Sequence, residues 1–156
     1  MKSRVLLVLT IPFLIGCKSN DKYTGPKITL AYAEEGVLVS SNVQEMKTIA
    51  FDNKTDSIFY LGDDSCASCA EFKPKLVTWC AQNHACIYYI SVADMSAEDS
   101  SLLTDLTIGS YYEWKDKNTI PSTYFMMQGE VMFCGDSSNT LNYLSKYVAV
   151  TAKPQV

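Results

Sequence analysis

Histidine, clustered positive charge and long apolar runs are all scarce in this sequence, and each scarcity argues against a class of protein. The chain has one histidine, His84, and its 13 lysine and arginine residues are outnumbered by 17 aspartate and glutamate residues. No basic run or stripe occurs, so nucleic-acid binding is not expected. A structural zinc site would need a second pair of cysteine or histidine ligands at suitable spacing, and His84 with Cys80 and Cys86 does not supply one.

The N-terminal segment has the pattern of a targeting signal. Lys2 and Arg4 precede an apolar stretch over residues 5–15, which is shorter than the ~20 residues needed to cross a bilayer. The stretch runs into Leu14-Ile15-Gly16-Cys17, which resembles the lipobox of bacterial lipoproteins. In that motif the chain is cut before the cysteine, whose thiol receives a diacylglycerol. The alternatives are an ordinary signal peptide with a chance cysteine, or an uncleaved anchor.

The lipobox resemblance implies a chain of three parts. Residues 1–16 would be the signal peptide, residues 17–36 a polar tether beginning at a lipidated Cys17, and residues 37–151 a single domain large enough to bury a core. A cysteine that carries two or three acyl chains binds a bilayer far more firmly than one chain does. We therefore expect an extracytoplasmic protein that is anchored to the cell membrane by lipid on Cys17.

The apolar pattern of the domain predicts the element order β-α-β-α-β-α-β-β-α. Continuous apolar runs are typical of strands buried on both faces, whereas a repeat of three to four residues is typical of an amphipathic helix. The predicted strands are residues 37–39, 57–61, 86–92, 123–127 and 130–134, and the predicted helices are residues 43–51, 66–82, 96–106 and a last helix capped by Ser137 or Ser138. Alternating strands and helices imply parallel pairs, and the hairpin at Gln128-Gly129 adds an antiparallel edge. The expected fold class is α/β, with a mixed central sheet and helices on both faces.

Six cysteines are many for a chain of 156 residues. With Cys17 assigned to lipid, five remain, so at least one thiol is free or pairs outside the chain. Cys80 and Cys86 lie at the end of a predicted helix and the start of the next strand, where the return of the chain brings them close enough for a disulfide. We predict a structural disulfide between these two cysteines, with two buried free thiols as the alternative. Cys134 is either an inert strand cysteine or a third redox partner.

The most specific chemical motif is Cys66-Ala67-Ser68-Cys69, which follows a predicted buried strand and opens a predicted helix. At the start of a helix the first thiol feels the positive end of the helix dipole, which favours the thiolate. Asp63 and Asp64 act in the opposite direction, with an effect of similar size. The second thiol, one turn further on, is placed to attack a mixed disulfide on the first and release the partner. We interpret Cys66 and Cys69 as a redox pair; a structural disulfide and half of a metal site are the alternatives.

This motif and its surroundings resemble the thioredoxin family over roughly residues 37–150. Pro74 falls five residues after Cys69, where thioredoxins have the proline of the active-site helix, and Ile120-Pro121 resembles the cis-proline turn of the family. The resemblance implies a thioredoxin-like fold without an organic cofactor, in which Cys66 is the nucleophile, Cys69 the resolving thiol and Pro121 shapes the approach of the substrate. It is nearest to accessory thiol–disulfide oxidoreductases of Gram-positive bacteria, including those encoded with bacteriocin transporters. The implied partners are protein thiol or disulfide substrates and an unidentified redox partner.

Two departures from cytoplasmic thioredoxins bear on the direction of the reaction. Tyr60 stands six residues before Cys66, where that family has a buried aspartate that helps to deprotonate the second thiol. The sequence Ser65-Cys66-Ala67-Ser68-Cys69 replaces the Trp-Cys-Gly-Pro-Cys signature of the family. Together with an oxidising compartment outside the cytoplasm, the missing acid favours disulfide formation or shuffling over general reduction. The competing hypothesis is a non-catalytic thioredoxin-fold module that serves as an accessory or metal-binding lipoprotein.

Overall fold

The computed structural model describes residues 23–110, 112–115 and 119–155. The predicted signal peptide, Cys17 and the first part of the predicted tether lie outside the described residues. The strands are β1 (Ile28–Leu30), β2 (Leu38–Ser41), β3 (Ser57–Gly62), β4 (Ile87–Ser91), β5 (Ser122–Met127), β6 (Glu130–Gly135) and β7 (Val148–Val150). The helices are α1 (Val43–Met46), which continues as a π-helix (Lys47–Asp52), α2 (Ala67–Asn83), α3 (Ala97–Thr107) and α4 (Thr140–Tyr147). Within the described ranges no helix is long and apolar enough to span a membrane.

A five-stranded mixed sheet in the order β2-β4-β3-β5-β6 forms the centre of the domain. The strands β2, β4 and β3 are parallel, whereas β5 pairs antiparallel with both β3 and β6. Gln128 and Gly129 join β5 to β6, and both have positive φ angles (52° and 90°), as a tight two-residue hairpin turn requires. The predicted α/β class, with a mixed sheet and an antiparallel C-terminal hairpin, is confirmed.

The side chains of β3 divide the core between the two faces of the sheet. All six residues of this strand are buried, and successive side chains of a strand point to opposite faces. Tyr60 packs with Phe72 of α2 on one face, while Phe59 and Leu61 pack on the other with residues of α1 and α3. Because β3 lies inside the sheet and ends at Gly62, the loop that follows it starts at the carboxyl end of a buried strand.

The start of α4 differs from the prediction by one to two residues. The helix begins at Thr140 with Asn139 as its N-cap, instead of being capped by Ser137 or Ser138. The carboxylate of Asp136 accepts hydrogen bonds from the backbone N–H groups of Ser138 (2.7 Å) and Asn139 (3.2 Å). These bonds hold the serines in a turn before the helix, which a sequence of several polar residues does not distinguish from a cap.

The predicted tether comprises residues 17–36, but its second half is part of the folded domain. Ile28 is 1% exposed, and β1 pairs in parallel with β7 at the other end of the chain. The backbone N–H of Thr29 donates to Asp56 Oδ2 (2.9 Å), and the Gln128 N–H donates to Asp56 Oδ1 (3.2 Å). A strand of three residues between polar neighbours carries almost no local signal, so the domain begins earlier than residue 37.

Candidate active site

The loop between β3 and α2 places Cys66 at the N-cap of α2, with extended backbone (φ −84°, ψ 118°). Its backbone N–H donates to Asp63 O (3.1 Å), and the Asp63 carboxylate accepts from the N–H and the hydroxyl of Ser65 (both 2.8 Å). Cys66 Sγ accepts the backbone N–H of Cys69 at 3.2 Å. The sulfur therefore occupies the place of the usual N-cap oxygen, at the positive end of the helix.

Hydrogen bonds lower the pKa of the Cys66 thiol. Burial acts to raise this pKa, but the side chains and backbone N–H groups of Cys69 and Ser68 outweigh it because they stabilise the thiolate. The Ser68 hydroxyl lies 3.2 Å from Cys66 Sγ, a contact that the sequence analysis missed. Cys66 is also partly exposed, so its sulfur is both reachable and favoured as the nucleophile.

Cys69 has the opposite environment. It is 2% exposed, and burial raises the pKa of its thiol to about 11, with a further rise from its interaction with Cys66. The backbone N–H of Asp63 and the hydroxyl of Tyr60 act in the other direction and lower the pKa of Cys69. The two thiols of the motif are therefore unlike: Cys66 is partly exposed and its pKa is lowered, whereas Cys69 is shielded and remains protonated at neutral pH.

The two aspartates before the motif are engaged elsewhere. The carboxylate of Asp64 pairs with Lys73 Nζ at 2.8 Å, and the ammonium lies 4.1 Å from the ring centroid of Tyr89. Asp63 is held by its hydrogen bonds to Ser65. The opposing effect of these acids on Cys66, expected from the sequence, is thus reduced by the cation and donors that they bind.

Pro121 lies at the same edge of the sheet as the cysteine pair. The Ile120-Pro121 peptide bond is cis, as the resemblance implies. Ser122, the next residue, pairs with Leu61 near the carboxyl end of β3, so Pro121 stands opposite the start of the loop that carries Cys66. Pro121 also lines a cleft of about 210 Å³ together with Tyr112, Tyr124 and Cys134, among other residues.

Comparisons with known proteins agree with this architecture. No protein-family model matches the chain, and no curated protein sequence matches it. Thioredoxin O1 of Arabidopsis thaliana, solved in the oxidized state, superposes with a TM-score of 0.52 at 19% identity, over 72% of this chain and 98% of the plant chain. Thioredoxin O2 of the same organism, also oxidized, gives a TM-score of 0.51 at 15% identity, over 74% of this chain and 98% of its own. The chain has a thioredoxin-like fold. At these identities the likeness concerns the fold alone, and the chemistry rests on the geometry of the site.

Within the thioredoxin-like fold, Cys134 lies on β6 beside the Pro121 cleft, opposite Tyr124 of β5. Burial raises the pKa of its thiol to about 11, although hydrogen bonds from Ser122 and from the Thr123 backbone partly oppose that rise. A thiol that stays protonated at neutral pH is a poor nucleophile. The environment of Cys134 therefore favours the inert strand cysteine over the third redox partner.

Cys80 and Cys86 are free thiols in the thioredoxin-like fold, which differs from the disulfide predicted between them. Cys80 is fully buried in the same core as Ile87, and burial raises the pKa of its thiol to about 12. Cys86 precedes Ile87, and its sulfur points away to the carbonyl oxygen of Glu35 at 4.0 Å. Cys86 is partly exposed, whereas Cys80 is enclosed by the core.

Proposed function

We propose that this protein is a thiol–disulfide oxidoreductase that acts on protein substrates, with Cys66 as the nucleophile and Cys69 as the resolving thiol. The observation that carries the proposal is the contrast between two thiols one helical turn apart: Cys66 is partly exposed with a lowered pKa, and Cys69 is buried with its pKa raised to about 11. An exposed thiolate attacks an incoming disulfide, while a shielded neighbour is kept for the second step. A purely structural disulfide needs no such contrast.

Each direction of the reaction consists of two thiol–disulfide exchanges. In reduction, the Cys66 thiolate attacks a substrate disulfide, one substrate sulfur leaves and takes up a proton, and a mixed disulfide remains on Cys66. Cys69 then loses its proton and attacks Cys66 Sγ, the second substrate sulfur leaves with the electron pair and is protonated, and the Cys66–Cys69 disulfide forms. Oxidation of a substrate dithiol follows the same steps in reverse. Pro121, across from the end of β3, would shape the approach of the substrate chain.

The proposed direction is disulfide formation or shuffling. Tyr60 stands where thioredoxins have a buried carboxylate, and burial raises the pKa of Cys69 to about 11, which slows the formation of the internal disulfide from a mixed disulfide. The same feature leaves a mixed disulfide on Cys66 open to a second substrate thiol, as shuffling requires.

The proposed location is the outer side of the cell membrane, with lipid on Cys17. Since β1 begins at Ile28, at most residues 18–27 separate the anchor from the folded domain. Ten residues and their flanking bonds span no more than about 40 Å when fully extended. Substrates would then be proteins that pass close to the membrane surface.

Covalent trapping of substrates tests the proposal. In cells that express the full chain, Cys69→Ser should accumulate mixed disulfides with other proteins, whereas Cys66→Ser should accumulate few, as seen on diagonal gels. Cys134→Ser is the matched control, since its thiol is only partly exposed and has a raised pKa, and it should resemble the wild type. Capture by Cys66→Ser but not by Cys69→Ser would reverse the assignment of the nucleophile.

The competing hypothesis, a non-catalytic accessory or metal-binding module, predicts a different result. If neither variant captures a partner and the purified protein neither oxidises nor reduces a test dithiol, the oxidoreductase proposal fails. Among the described residues, no group of three or more histidine, cysteine, aspartate or glutamate side chains is arranged to hold a metal ion. A stoichiometric Cu(I) complex lost in Cys66→Ser would support the metal-binding alternative.

A further inference from the structure

Two buried hydroxyl groups without hydrogen-bond partners lie on the face of the sheet that α2 covers. Tyr60 Oη and Thr123 Oγ1 have no partner of ordinary hydrogen-bond geometry, and both residues are 0% exposed. Tyr60 on β3 pairs directly with Thr123 on β5, so their side chains share one face. A buried polar group without a partner costs free energy, and such a group in a folded protein calls for an explanation.

The Tyr60 hydroxyl occupies a space beside Gly62, at the end of β3 that leads to the cysteine pair. A Cβ atom on Gly62 would lie 2.7 Å from Tyr60 Oη and 2.9 Å from Cζ, so only glycine leaves this space open. The ring is fixed by its edge contact with Phe72 (centroids 5.9 Å apart) and by stacking on Tyr89 (5.6 Å). The hydroxyl is therefore directed along the strand towards the redox motif and cannot easily turn away.

Cys69 is the neighbouring residue to which the Tyr60 hydroxyl can donate a hydrogen bond. It is 2% exposed, and its interaction with Tyr60 lowers the pKa of Cys69 while it raises that of Tyr60. A neutral thiol is a weak acceptor, which explains why the hydroxyl is unpartnered in the dithiol form, whereas a thiolate is a strong acceptor. The phenol itself stays neutral at physiological pH because burial raises its pKa further.

We propose that Tyr60 is a positioning residue for the resolving step, in which its hydroxyl donates a hydrogen bond to the Cys69 thiolate. This inference rests on the proposed function, since it concerns the second exchange of that reaction. The proton that Cys69 loses ends on the departing substrate sulfur, the Cys69–Cys66 bond forms, and the Cys66–substrate bond breaks. Tyr60 gains and loses no proton in this scheme. It stabilises the charge on the attacking sulfur.

Other titratable groups face the same place and must be held constant in a test. Cys66 lies across the motif from Cys69, Tyr89 faces Tyr60 from β4, and Lys73 of α2 lies over the Tyr89 ring. Lys73 is paired with Asp64 from the loop. From β5 the facing residue is Thr123, which does not titrate.

The test follows the resolution of a chemically defined mixed disulfide. The mature protein carrying Cys86→Ser and Cys134→Ser is reduced and mixed with 5,5′-dithiobis(2-nitrobenzoate), which leaves thionitrobenzoate on Cys66, and attack by Cys69 releases a second thionitrobenzoate. The rate of this second release is measured from pH 6 to 11. Tyr60→Phe removes the hydroxyl and keeps the ring, and it should slow the release about tenfold at neutral pH and move the midpoint of the pH profile up by about one unit.

A tyrosine on the other face of the same sheet provides the control. Tyr88 stacks on Phe59 (centroids 5.0 Å apart), away from Cys69, so Tyr88→Phe should leave the profile at its wild-type position. An unmoved midpoint in Tyr60→Phe, or a slowing that is equal at every pH, would overturn the proposal and leave Tyr60 a packing residue. If Tyr60→Phe does not fold, 3,5-difluorotyrosine at position 60 makes a stronger donor of the same shape and should move the midpoint down.

The same assay separates this inference from the proposed function. If Cys66 of the parent protein takes up thionitrobenzoate and releases it again, the two-thiol chemistry is present, and only the Tyr60 variants bear on the hydroxyl. If the parent protein never releases the second thionitrobenzoate, the oxidoreductase proposal fails, and the proposed role of Tyr60 fails as well.

Discussion

Cys66 Sγ accepts a hydrogen bond from the backbone N–H of Cys69 at 3.2 Å. The nucleophilic sulfur is therefore held by the same residue whose thiol is proposed to release the substrate from it. The same bond that stabilises the Cys66 thiolate also fixes the two residues in one helical turn. The first turn of α2 thus sets the positions of both cysteines.

The Ser68 hydroxyl helps to lower the pKa of the Cys66 thiol. Ser68→Ala should raise the pKa of the Cys66 thiol, because the thiolate loses a hydrogen bond, and should slow its alkylation by iodoacetamide near neutral pH. Ser65→Ala is the matched control, since that hydroxyl binds Asp63 instead of a sulfur. The check is the rate of Cys66 alkylation as a function of pH in Cys69→Ser protein. Equal shifts in both serine variants would show that the effect does not come from the contact at Cys66.

Buried thiols should make the reduced protein less stable in alkali. Burial raises the pKa of Cys80 to about 12, whereas an unfolded cysteine titrates near 8.5, so between these values the folded state holds a proton that the unfolded state has lost. The favourable contribution is complete below pH ~8.5 and is lost as the pH rises towards 12, at about 1.4 kcal/mol per pH unit. The free energy of unfolding in urea, measured at pH 8.5 and 10.5, should fall more steeply for the wild type than for Cys80→Ala. Parallel losses would contradict this role for Cys80.

The first strand should be essential to the fold, although it follows a segment expected to be a tether. Ile28 is 1% exposed, and Ile28→Ala should lower the free energy of unfolding by about 2–4 kcal/mol because it leaves a cavity. Thr29→Ala, on the exposed position of the same strand, should change it by less than about 1 kcal/mol. Chemical denaturation of the mature protein measures both. An unchanged free energy of unfolding in Ile28→Ala would instead support a tether that extends to residue 36, as predicted from the sequence.

The cysteines at the return between α2 and β4 should remain thiols. In native reduced protein Cys86 should be alkylated, and Cys80 only after unfolding, because Cys80 is fully buried. Mass spectrometry of protein treated with a mild oxidant should show Cys66 linked to Cys69. A peptide that links Cys80 to Cys86 under the same conditions would instead support the disulfide predicted from the sequence.

The elements around the motif were predictable because their signals are local. The continuous apolar run of β3 and the cysteine motif at the start of α2 gave a strand–loop–helix that the structure confirms. The hairpin turn at Gln128-Gly129 was predictable for the same reason, since its two residues accept the backbone angles of a tight turn.

Features that depend on distant parts of the chain were not predictable. The strands β1 and β7 have three residues each and are stabilised by each other across the whole chain, so neither has a periodic pattern of its own. The place of the Tyr60 hydroxyl depends on Gly62 and on the packing of α2, which Tyr60 alone does not reveal.

The carboxylate of Asp56 ties together three parts of the chain at the amino end of β3. It binds Thr29 of β1 and the turn residue Gln128, whereas Cys66 follows the carboxyl end of the same strand. A strand of six residues is about 20 Å long. With Cys17 as the proposed anchor, the tether would join the domain on the Asp56 side, at the opposite end of β3 from the reactive sulfur. Proteins close to the membrane surface would then meet the sulfur on the side of the domain remote from the point where the tether joins it.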